Sequence, residues 1–108
     1  MDDRRHRTES EVLLRQLDRH LAWVQSSSPE DLATAEQIAD ALRRLVAETT
    51  RASAADRALV RAAIHFVVVR KHRVGSLRHP HRPVSADVSV LNEIVSALGR
   101  EDLALQGV

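Results

Sequence analysis

Leu13, Leu14, Leu17, Leu21 and Val24 recur at steps of three and four residues, and comparable spacing returns three more times along the chain. Side chains spaced this way share one stripe of a helix but fall on both faces of a strand, so the periodicity restricts the chain to amphipathic helices. Each stripe also has a start signal. Thr8-Glu9-Ser10-Glu11 fits a capping box, with Thr8 accepting an orphan amide and Glu11 reaching back, ahead of a helix over about residues 9–26. Ser28-Pro29-Glu30-Asp31 supplies a Ser cap, Pro at the first helical position and acids at the positive end of the dipole. Ala35, Ile38, Leu42, Leu45 and Val46 then line a second helix to about Glu48.

The third helix is expected from Ser53-Ala54-Ala55-Asp56, with Leu59, Val60, Ala63, Ile64 and Val67 in phase to about Arg70. Ile64 to Val69 is β-branched and aromatic enough for a buried strand. The Ala-rich first half and the lack of a partner strand decide for helix. The fourth helix is expected after Ser85, with Asp87 in its first turn and Leu91, Ile94, Val95 and Leu98 as its stripe. Gly99 stands where a left-handed terminating residue belongs, and Arg100 to Leu105 adds a further turn.

The first two connections are short, so the first three helices should pack as antiparallel neighbours. The third, His72 to Val84, is about thirteen residues long and holds Gly75, Pro80 and Pro83, through which no helix is expected to run. With 108 residues there is room for one core. The expectation is one all-α domain, a small four-helix bundle with a long Pro-, Arg- and His-containing loop between helices three and four, and with residues 1–7 disordered.

Several function classes fall away on composition. There is no cysteine, hence no disulfide framework, thiolate zinc site or cysteine nucleophile. Phe66 to Val69, four residues, is an apolar run that no other exceeds, too short to span a membrane. The amino-terminal segment leads into no apolar stretch, so no secretory signal is expected and the default compartment is the cytoplasm. Trp23 and Phe66 are the only aromatics, too few for a base-stacking surface. Glycines 75, 99 and 107 are isolated, leaving no phosphate loop. The serines cluster at helix caps rather than beside a base, so the chain reads as non-enzymatic and without a cofactor.

Charge is the feature that points outward. Residues 1–69 hold ten basic and eleven acidic side chains, and residues 83–108 hold one Arg against four acids. Residues 70–82 hold Arg70, Lys71, Arg73, Arg78 and Arg82 with no acid, a net +5, together with His72, His79 and His81. Fifteen of the sixteen basic residues are Arg, which reflects codon usage as readily as phosphate recognition. An acid-free basic run is the footprint of a site for an acidic protein, phosphate or nucleic acid. Its candidate contacts are Arg70, Lys71, Arg73, Arg78, His79, His81 and Arg82. The three histidines do not make a zinc site, because the loop offers no fourth ligand and five positive charges oppose a cation. His20, beside Asp18 and Arg19, reads as part of a solvated face, and His65 as a partly buried helix residue. Trp23 lies at the edge of the first stripe, either as a lid on the core or as an anchor for a partner.

Arg61-Ala62-Ala63-Ile64-His65-Phe66-Val67-Val68, Pro80, and Asp87-Val88-Ser89-Val90-Leu91-Asn92 resemble the YkvA-like family of small helical bacterial proteins with a domain of unknown function. The resemblance covers about residues 58–105 and implies a helix, a Pro-containing loop and a second helix. Where that family carries acids in the loop this chain has Arg and His, and of its paired acids only Asp87 remains, so no activity is carried over. The functional expectation is an interaction module, adaptor or regulatory, that pairs with an acidic partner through the basic loop and with a second copy of itself. The alternative is a nucleic-acid-associated regulatory domain whose loop meets phosphates without reading bases. A helix-turn-helix is disfavoured because the fourth helix is acidic.

Overall fold

The computed structural model describes the backbone of residues 2–76 and 84–105 and the side chains of residues 8–68 and 86–105. Four α-helices, α1 (Asp2–Ser27), α2 (Leu32–Thr49), α3 (Ala54–Ser76) and α4 (Val84–Ala97), account for most of these, with no strand among the described residues. The chain is all-α. Short 3-10 turns cover Pro29–Asp31 and Glu101–Leu103. The competing strand over Ile64 to Val69 does not form; those residues lie inside α3.

One core joins the four helices. Leu17 of α1, Ile38, Leu42 and Leu45 of α2, Val60 and Ile64 of α3, and Leu91 and Val95 of α4 are all but inaccessible, and Leu103 closes over them. Burying each of the larger side chains contributes roughly 1.5–3 kcal/mol. All five expected stripe residues of α2 are buried, together with Ala39 and Ala41. The alanines let neighbouring helices approach closely. α2 packs on α1, α3 and α4, and α3 likewise on α1, α2 and α4, whereas α1 packs on α2 and α3 among the helices.

The helix starts follow local rules with two exceptions. Ser53 Oγ accepts a hydrogen bond from the Asp56 amide at 3.1 Å, the cap expected for α3. Pro29 opens the turn before α2 as expected, but the Ser28 side chain makes no capping bond. It is 2% exposed and points inward, while its carbonyl accepts from the Asp31 amide at 2.9 Å. Thr8-Glu9-Ser10-Glu11 is no capping box either, because α1 begins at Asp2 and Thr8 is already helical. Residues 2–7 hold neither Gly nor Pro, so nothing in them stops the helix from starting earlier.

The helix ends divide in the same way. Gly99 has φ of +71°, with its amide bonded to Ser96 O at 3.1 Å and the Arg100 amide to Val95 O at 2.7 Å. These two bonds form a Schellman motif, which ends α4 where the sequence placed it. Beyond it Asn92 grips the chain: its Nδ2 donates to Leu105 O and its Oδ1 accepts from the Leu105 amide, both at 2.9 Å. α3, by contrast, runs six residues past its expected end and through Gly75 to Ser76. A mid-helix Gly costs only about 1 kcal/mol relative to Ala, whereas Pro removes a bond and clashes, so Gly75 alone is no stop. The connection expected over His72 to Val84 therefore starts later than the sequence suggests, and residues 77–83 lie outside the described residues.

Candidate functional site

The basic run is divided by the end of α3. Arg70, Lys71 and Arg73 stand on helical backbone in its last two turns, while Arg78, His79, His81 and Arg82 lie outside the described residues. The acid-free run therefore begins on the same helix that supplies Val60, Ile64 and Val67 to the core. His72, which completes the histidine trio, has no described side chain; among the described residues no group of three or more His, Asp or Glu is placed to hold a metal.

Two histidines exchange the environments expected of them. His20 is 2% exposed, not on a solvated face, and His65 is exposed, not partly buried. Helical phase explains both. Leu17, His20 and Val24 continue the four-three-four spacing from Leu13, so His20 occupies a seam position, whereas His65 projects away from buried Ala63, Ile64 and Val67. Trp23 is half-buried and stacks on His20, with ring centroids 6.1 Å apart and planes 22° from parallel. The indole thus lies against one face of the buried imidazole.

Two arginines tie helices together at the surface. Arg43 of α2 forks between Asp18 of α1 at 2.8 Å and Asp40 of its own helix at 2.9 Å. Arg100 binds both carboxylate oxygens of Asp102 at 2.9 Å and reaches Glu48 at the end of α2. The hydrogen bonds from Arg100 hold the Asp102 carboxyl below the ordinary aspartate range, and the same bonds raise the Arg100 guanidinium. Their exposure limits what such pairs add to stability.

A groove of about 230 Å³ runs between α1 and α3, bordered by Glu9, Val12, Gln16, Arg61 and His65. Val12, 43% exposed, is the only large hydrophobic residue exposed to that degree among the described residues. Gln16 Oε1 is buried beside it with no hydrogen-bond donor among the described residues. A second and wider groove of about 860 Å³ lies between α2 and the terminal segment, lined by Arg43, Arg44, Asp40 and Asp102 among others.

Comparison with known proteins finds no matching family model, no matching curated protein and no matching solved structure. The sequence pointed to Trp23 and the basic run but missed the Val12–Gln16 face and the burial of His20. The signal for His20 was present in its spacing from Leu13, Leu17 and Val24. A polar residue in a core seam carries no hydrophobic mark.

Proposed function

We propose that the chain is a non-enzymatic interaction module of the cytoplasm, a small four-helix bundle that engages an acidic protein segment through Arg70, Lys71, Arg73, Arg78, His79, His81 and Arg82. The single supporting observation is the thirteen-residue run of net +5 without an acid, which starts on the helical backbone of α3. Charge fixed to a packed helix attracts acidic side chains at less ordering cost than charge on a bare loop, and complementarity of this kind sets encounter rate and partner choice. The likeness of residues 58–105 to the YkvA-like family supports the helical framework and lends no activity. Self-association through α1 is the second half of the same reading.

A poly-glutamate peptide and a duplex oligonucleotide, each titrated by fluorescence anisotropy at low and moderate salt, test the proposal. Replacement of Arg70, Lys71, Arg73, Arg78 and Arg82 by Gln keeps helix propensity along α3 while removing the charge. The wild type should bind the peptide and the variant should not. Duplex binding that is blind to sequence, with a salt slope of about −4 and no peptide binding, would favour the phosphate-contacting alternative instead. A variant that binds like wild type would leave the basic run without a role.

A further inference from the structure

We propose that α1 carries a second, outward seam, Glu9–Val12–Gln16–Arg19, by which two copies of this chain pair antiparallel. The spacing of these four residues is three, four, three, so they lie on one face of α1 and read alike from either end about Leu14. Glu9, Val12 and Arg19 are exposed and Gln16 is half-buried. An antiparallel copy centred on Leu14 sets Glu9 of each chain opposite Arg19 of the other, and Val12 opposite Gln16. A parallel copy would set Glu9 against Glu9 and Arg19 against Arg19, which like-charge repulsion disfavours.

One observation independent of charge marks the same face. Val12 is the large apolar side chain left uncovered among the described residues. Neither Glu9 nor Arg19 makes an ion pair among the described residues, so both are available to the second copy. Trp23 continues the seam, four residues beyond Arg19, and its half-exposed ring adds apolar surface at the margin. A seam with one Val and this many polar layers makes a weak, reversible dimer rather than an obligate one.

This inference rests on the self-association half of the proposed function and not on the basic run. Sedimentation velocity of the full chain over a range of concentrations tests it, with Glu9→Arg and Arg19→Glu as exposed, fold-neutral variants checked by circular dichroism. The wild type should self-associate, and each single variant about tenfold more weakly, since two opposite-charge layers become two like-charge layers. A one-to-one mixture of the two variants should recover association, because each then supplies what the other lacks. Three results would overturn the proposal: a wild type monomeric at every concentration, single variants that associate as well as wild type, or a mixture that stays monomeric. Poly-glutamate binding should be the same in all these proteins, so a failed dimer would leave the role of the basic run standing.

Discussion

α1 and α2 lie side by side and solve different problems. α2 hides a continuous apolar face, Ala35, Ile38, Ala39, Ala41, Leu42, Leu45 and Val46, against three neighbouring helices. α1 hides Leu17, His20 and Val24, leaves Leu13, Leu14 and Leu21 partly covered, and turns Val12 to solvent. A helix with partners on most sides needs apolar residues wherever its neighbours lie. A helix at the margin of the core can spare one face for something else, and can tolerate an imidazole within its buried seam. The contrast separates a helix that holds the fold from one that both holds it and presents a surface.

Substitutions can break this contrast or sharpen it. Leu42→Ala in α2 should have the largest effect, about 2–5 kcal/mol in urea unfolding, because the centre of the core cannot collapse to fill the void. His20→Ala in α1 should cost less, about 2 kcal/mol, through lost packing and the lost stack on Trp23, and should shift tryptophan fluorescence. If the two costs were reversed, α1 and not α2 would carry the larger share of the core's stability. Arg43→Ala removes the tie between the two helices, and for so exposed a pair the loss should stay below about 1 kcal/mol and shrink further in salt.

The smallest effect concerns acid stability at the far end of α2, where Arg100 joins Glu48 and Asp102. The Asp102 carboxyl is held below the ordinary aspartate range when folded, so its stabilising contribution is present above that range and is lost as pH falls through the depressed value. Asp102→Asn should flatten the acid limb of the stability profile slightly, by lowering stability a little at neutral pH and leaving it unchanged in acid. A variant equally steep at acid pH would show that the pairing with Arg100 contributes nothing.

Local chemistry made some of this fold legible in the sequence. The Ser53 cap, the Gly99 terminator and the whole α2 stripe are each decided by a few neighbouring residues, and each stands where the spacing put it. The limits of α1 and α3 were harder to read because the signals used, Thr8 and Gly75, are permissive rather than decisive. A Thr can sit inside a helix, and a Gly slows one without stopping it. His20 was missed because Leu21 advertised the neighbouring phase, although the seam Leu13, Leu17, His20, Val24 keeps the tighter spacing. Of the proposed functional surface, the basic run was plain as charge alone. The Val12–Gln16 face was hidden, because one valine among Glu, Gln and Arg looks like an ordinary exposed helix until the neighbours are in place.

A pair of matched substitutions on α1 tests most directly the claim that this helix has a buried seam and a free one. Leu17→Asp and Val12→Asp introduce the same charge five residues apart, and their thermal unfolding can be followed side by side at low protein concentration. Leu17 is 0% exposed and Val12 43%, so Leu17→Asp should unfold the chain or lower its melting temperature severely, while Val12→Asp should leave it within a few degrees of wild type. Equal loss in both variants, or greater loss in Val12→Asp, would contradict the two-faced α1 and with it the surface assigned to a second copy.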